Sequence, residues 1–194
     1  MSSHLSPVVV GFDFCHSGSA ALHRAVILAS RAAHHVLHVV CVIDPAEAIP
    51  TIPPYNGIDH MYAARVQEAM TAEIQGELDK AEVSDRVHFF VHARIGKPAQ
   101  EILGLARDVG ADLIIVGSER MTGSSHIRLG AISEQVVREA GCAVEIARTK
   151  QYAEVRLMPI DLIEPHAAYV QPHHYIYEDH RVNVHFAESL LASS

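Results

Sequence analysis

Two stretches of this 194-residue chain carry residue types that can do chemistry together. The first, Asp13-Phe14-Cys15-His16-Ser17-Gly18-Ser19, closes a β-branched run that begins at Pro7. A carboxylate at a strand terminus can accept hydrogen bonds from the hydroxyls of a ribose, and small residues behind it let the backbone turn sharply into a helix. The second runs from Gly117 through Arg120, Gly123 and Arg128 to Gly130 and Ala131, just ahead of an amphipathic segment. Backbone amides freed by glycine and aimed by a helix N-terminus can hold phosphate oxygens, and Arg120 or Arg128 would add positive charge. Each stretch also has a plainer reading. Asp13 can end a strand or cap the following helix, and a Gly/Ser stretch after a strand is often only a loop.

Other chemistries find no residues. There is no nucleophile elbow with Ser, His and Asp in order, no pair of carboxylates in a shared loop and no P-loop lysine, so catalysis has little support. Cys15-His16-Ser17-Gly18-Ser19 does not match the Ser-Gly-Gly-x-Asp-Ser phosphate loop of nucleotide-cleaving enzymes on similar sheets.

The elements that must position these stretches follow from periodicity. Residues 7–13 read as a strand, and Ala20, Ala21, Ala25, Leu28 and Ala29 recur at helical spacing behind them. Val36 to Ile43 is a second strand, stopped at Asp44-Pro45, and Pro50, Pro53, Pro54, Asn56 and Gly57 mark an irregular connection. Residues 59–82 predict a helix with Ala63, Val66, Met70, Ile74, Leu78 and Ala81 on its buried face. Val87 to Ala93 reads as a strand, Pro98 opens a helix that Gly110 ends, and 111–117 is an apolar strand of the kind buried on both faces of a parallel sheet. A last helix, Ile132 to Ala140, and a strand, Ala143 to Ala147, complete the alternation. Strands alternating with helices imply an α/β fold with a doubly wound parallel sheet, since each parallel step needs a crossover. In such sheets ligands sit beyond the carboxyl ends of the strands, where strand order reverses, and both chemical stretches leave such ends.

From about residue 149 the character changes. The last 46 residues hold five of the 15 histidines, three prolines and no glycine. We therefore divide the chain into a domain over 1–148 and a His-rich C-terminal extension over 149–194. Alternation from Tyr175 to Phe186 suits a β-hairpin or a partner-binding arm. His166, His173, His174, His180 and His185 show no fixed ligand spacing, so no metal is expected there. The formal net charge of −8, shared as −5 and −3 between the two parts, lacks the basic footprint of a nucleic-acid or membrane-surface partner. No apolar run approaches the roughly 20 residues that span a bilayer, and residues 1–7 do not resemble a signal peptide, which makes the cytoplasm the expected location. Cys15, Cys41 and Cys142 are odd in number and widely spaced, and are expected to be buried thiols.

Five segments then carry a resemblance in their order along the chain: Val8-Val-Val-Gly-Phe-Asp13, Leu37-His-Val-Val40, Gly96-Lys-Pro-Ala-Gln-Glu-Ile102, Ala111-Asp-Leu-Ile-Ile-Val-Gly-Ser118 and Gly130-Ala-Ile-Ser-Glu-Gln-Val-Val-Arg-Glu-Ala-Gly-Cys-Ala-Val144. Together they resemble the universal stress protein family over residues 6–148. The resemblance implies a flavodoxin-like, five-stranded sheet that commonly dimerises through its last strand, in a family of ATP-binding and non-binding members. Binders share a Gly-x-x-Gly-x9-Gly-Ser/Thr loop on the triphosphate. Gly117 and Gly130 stand at its first and third glycines, Arg120 replaces the second and Ala131 replaces the hydroxyl. The family's Asp-Gly-Ser after strand one becomes Asp13-Phe14-Cys15, with the ribose-contacting Asp retained. On this basis the expected nucleotide-binding set is Phe12, Asp13, Val39, Val116, Gly117, Arg120, Gly130, Ala131 and Ile132.

Two readings stay open at this point. In one, a homodimeric stress-response protein binds ATP in the crevice and is non-catalytic or hydrolyses it at most very slowly. In the other, the same fold with an idle crevice works through its dimer face and C-terminal extension. Retained Asp13, Gly117 and Gly130 favour the first, while Phe14, Arg120 and Ala131 favour the second. Glu145 interrupts the apolar last strand, which suggests an exposed position, an edge, or a polar contact across a dimer interface.

Overall fold

The computed structural model describes residues 5–45, 49–52, 58–118 and 129–149. Arg120, most of the 117–130 loop, the Pro53–Gly57 connection and the extension from residue 150 onward lie outside them. In chain order the elements are β1 (Ser6–Gly11), α1 (His16–Arg31), β2 (His35–Ile43), α2 (His60–Lys80), β3 (His88–Ile95), α3 (Pro98–Val109), β4 (Leu113–Gly117), α4 (Ala131–Glu139) and β5 (Ala143–Ala147). All four strand pairings are parallel and the order is β3-β2-β1-β4-β5. The expected five-stranded, doubly wound sheet is therefore present. Flavodoxin itself runs 2-1-3-4-5, so the likeness is one of architecture, and the reversal of strand order here falls between β1 and β4.

Two apolar layers hold the sheet. Val8, Val10, Leu37, Val39, Cys41 and Ile43 pack with Ala21, Leu22, Ala25 and Val26 of α1 and Val66, Met70, Ile74 and Leu78 of α2. Val9, Val40, Ile114 and Val116 pack on the opposite face with Ile102, Leu103 and Leu105 of α3 and Val136 of α4. Burying both faces explains why the central strands read as continuous apolar runs.

Differences from the expected elements are local. β4 begins at Leu113 because Asp112 sits in a bend whose amide donates to the Pro7 carbonyl at 3.0 Å. In α2, Ala81 is exposed at the C-cap, and the first buried position is Tyr62. The Tyr62 hydroxyl accepts from the Ile49 amide at 2.8 Å, while its own amide donates to the Asp59 cap at 2.9 Å. An aromatic ring with one polar end can thus close the helix start over a loop, which apolar spacing alone does not reveal. No helix among the described residues is long and apolar enough to cross a membrane.

Candidate functional site

The crevice begins where β1 ends. Phe12 extends the ladder by donating its amide to the Val40 carbonyl at 2.9 Å, and its ring is buried in the core. Asp13 then stands exposed. Its Oδ1 accepts from the Cys15 amide at 3.2 Å and from the Cys15 thiol at 2.8 Å. The N-cap of α1 is Cys15, with no side-chain cap bond, so Asp13 braces the turn ahead of the helix without occupying the cap position. Phe14 has φ +59°, the left-handed region that favours glycine. Its ring packs edge-to-face on Phe12 at 4.8 Å. Gly18 is small for a packing reason: a Cβ there would lie 2.3 Å from Asp13 Oδ1 and 2.9 Å from the Asp13 amide nitrogen. The first turn of α1 rests on Asp13, and only glycine fits.

Across the strand-order reversal, Gly117 ends β4 and meets the same helical turn. A Cβ on Gly117 would lie 2.2 Å from the Ser17 carbonyl oxygen. Asp13 and Gly117 are thus brought against successive residues of α1, Gly18 and Ser17. The Gly117 carbonyl accepts from Ser133 Oγ of α4 at 2.7 Å, which ties the start of α4 to the end of β4. Ser133 is one of the residues that the sequence reading missed. Its signal was a hydroxyl three positions before Val136, on the buried face of the last helix. Gly130 is the N-cap of α4, with φ −63°, and Ala131 and Ile132 are exposed in its first turn. His16 Nε2 and Thr149 Oγ1, 2.8 Å apart, link the start of α1 to the chain just past β5.

The other expected contacts sort by register. Val39 pairs with Val10 and is fully buried among the α1/α2 core residues. It offers no side-chain surface to a ligand, so Val39 can meet one only through its backbone. Because Gly11 pairs with Val40, continuing the register by two sets Val42 level with Asp13. Val42 is half-buried and is the residue of β2 nearest the crevice by this measure. Val116 is also in the core, at 3% exposure, one residue short of the strand end.

Electrostatically this edge suits an anion with hydroxyls. The N-termini of α1 and α4 both follow carboxyl ends of strands here, and their unpaired amides carry partial positive charge. Cys15 is exposed, against the expectation of buried thiols, because it lies in the turn above the sheet and not beneath a helix. Cys41 is buried, and its thiol is pushed up to about 12 by burial, with the Asp13 charge adding to the shift. Cys142 is half-buried and likewise raised by burial. Glu145 of β5 pairs within the chain, its carboxylate receiving Arg24 Nε of α1. That hydrogen bond raises the Arg24 pKa against the opposing effect of burial, and the ion pair accounts for a charge in an otherwise apolar strand.

Comparison with known proteins agrees with this architecture. The model of the universal stress protein family matches residues 5–148. The chain belongs to the universal stress protein family. Among its relatives, universal stress protein YxiE of Bacillus subtilis is 30% identical over 155 residues, covering 73% of this chain and 97% of the relative. A universal stress protein solved in complex with cAMP shares the fold at TM-score 0.52 and 22% identity, covering 76% of this chain and 99% of the other. The Archaeoglobus fulgidus universal stress protein solved in complex with dAMP does so at TM-score 0.51 and 19% identity, covering 75% and 99%.

Proposed function

We propose that this universal stress protein binds an adenine nucleotide, ATP in the first instance, in the crevice between β1 and β4, and acts as a cytoplasmic stress-response regulator in a homodimer built on β5. The observation that carries the reading is the exposed Asp13 carboxylate, braced by Cys15 and held against the same turn of α1 as Gly117. Asp13 Oδ2 accepts no hydrogen bond from a described residue, which leaves it for a ribose hydroxyl, and the phosphates would lie toward Gly117 and the start of α4. The cAMP and dAMP complexes of two members support an adenine nucleotide as the ligand class. Ala131 lacks a hydroxyl, a loss of about 0.5–1.5 kcal/mol against a serine or threonine there. Arg120 would supply a charge-assisted contact in compensation.

The test is to identify by mass the nucleotide released from freshly purified, heat-denatured protein, then to titrate ATP into the parent and Asp13→Ala. The expected outcome is an adenine nucleotide and a binding loss of at least tenfold in the variant. Equal affinity of the two would reject the placement. A second reading, an interaction module with an idle crevice working through β5 and residues 149–194, is favoured by one observation: Phe14 fills with a ring the turn position that is glycine in the family's Asp-Gly-Ser. Absence of any bound or titratable nucleotide, with the dimer intact in sedimentation, would favour it.

A further inference from the structure

Among the described residues, no helix covers one corner of the doubly wound sheet. Phe89, Val91 and Ala93 of the edge strand β3 pack into the α1/α2 core, so by alternation His88, Phe90, His92 and Arg94 point to the other face. There α3 lies over β1 and β2, and Arg94 reaches back to it, ion-paired with Asp108 at 2.6 Å and Glu101 at 3.6 Å. The remaining surface is a cluster of rings. His38 of β2 pairs in register with Phe90, stacks on its ring at 5.0 Å and meets the nearly coplanar His92 ring end to end, with centroids 5.3 Å apart. Phe90 is 56% exposed, so the cluster borders solvent. Within it, His38 Nδ1 and His92 Nε2 lie 3.1 Å apart.

We infer that His38 and His92 form a two-imidazole site for a borderline divalent transition-metal ion, of which zinc is the representative. Two imidazole nitrogens held at 2.0–2.1 Å by one tetrahedral ion stand about 3.3–3.4 Å apart, so the pair at 3.1 Å needs to open by only about 0.2–0.3 Å, with each ring turning to swing its lone pair off the line between the nitrogens. Without metal, one ring donates its N–H to the other across this gap. When an ion enters, the donor ring carries its proton on its other nitrogen, so two neutral rings bind the ion without releasing a proton. Ligation requires neutral rings, and the surroundings favour that form. Burial holds each below the ordinary imidazole pKa, and His38 and Arg94 lower His92 further. The Arg94 cation opposes a dication, but Asp108 and Glu101 offset it. His88, on the same face, is four residues from His92, about 13 Å along the strand, and too far to share the ion. No cluster of three or more His, Cys, Asp or Glu suited to a metal occurs among the described residues. With water in the remaining coordination positions, the ion exchanges readily and clips the edge strand β3 to β2.

The experiment titrates zinc into the EDTA-stripped full chain carrying isotope-labelled histidine and follows the imidazole nitrogens by NMR. His38 Nδ1 and His92 Nε2 are expected to shift in parallel with a single half-saturation point. His38→Gln should abolish the zinc response of His92, and His92→Gln that of His38, each lowering the zinc stoichiometry by one, whereas His88→Gln leaves both responses in place. The inference is overturned if the two rings keep their zinc-free signals until the other histidines are saturated, or if the His92 response survives His38→Gln. Because the parent spectrum alone can overturn it, a variant that folds poorly does not shield the inference.

Discussion

Phe14 and Gly110 share almost the same positive φ, +59° and +62°, at two turns that do different things. Gly110 is the C-cap of α3, its amide reaching the Ala106 and Arg107 carbonyls. A Cβ there would meet nothing within 4 Å, so only the backbone preference selects glycine. Phe14 carries a large side chain in the same region, at a cost of about 1–2 kcal/mol. The half-buried ring offsets it, with about 0.5–1.5 kcal/mol from the edge-to-face contact with Phe12 beyond simple area burial. At a helix end the backbone decides the residue. In the crevice turn, packing outweighs the backbone. Gly117 adds a third case, a glycine outside the left-handed region whose smallness is demanded by the Ser17 carbonyl.

The largest expected effect separates that third case from the first. Gly117→Ala would force α1 off β4, because the clash is with backbone, and should cost about 3 kcal/mol in urea unfolding. A cost under about 1 kcal/mol would show that the α1 approach is soft. Next, Phe14→Ala keeps the left-handed backbone and loses the ring, and should destabilise by about 2 kcal/mol. A neutral result would mean that the ring contributes nothing to holding the turn.

The comparison itself is tested by the alanine-to-glycine difference. Phe14→Gly should be more stable than Phe14→Ala by about 1 kcal/mol, and Gly110→Ala should be less stable than the parent by the same amount. Unequal differences at the two turns would break the equivalence of their backbones.

The smallest effect sets the pH range for these measurements. His38 and His92 have folded-state pKa values below the ordinary value of about 6.5, chiefly through burial. The unfolded chain therefore takes up protons first, and stability that is complete above about pH 6.5 declines as pH falls from there toward the folded values. In EDTA, His38→Gln,His92→Gln should flatten this decline, whereas Gly110→Ala should leave its slope unchanged. An unchanged slope in the double histidine variant would reject the assignment to this pair.

Much of the fold was legible because it rests on periodicity. β2 and β5 were expected within a residue of their observed bounds, and Pro98 and Gly110 bracket α3 through their own backbone preferences. Asp13 and Gly117 could be singled out because a residue type at a strand end is a local fact. That Val42, and not Val39, stands level with Asp13 was not legible because alternation tells which face a residue takes and not its level along the strand. That level came from the pairing of Gly11 with Val40. Ser133 was overlooked because its partner is a backbone carbonyl, which has no side-chain type to read.

The sequence by itself determined the order and kind of the elements, the parallel sheet they imply, and the two stretches that flank its reversal, since these follow from local preference and from the period of apolar residues. Only the tertiary structure decided that Gly18 and Gly117 are small to admit Asp13 and Ser17, that Glu145 belongs to Arg24, and that His38 and His92 face one another at 3.1 Å. Apart from the local contact of Gly18 with Asp13, these join residues 54 to 121 positions apart. Strand register and helix docking alone set those distances, and neither is encoded in the residues around each site.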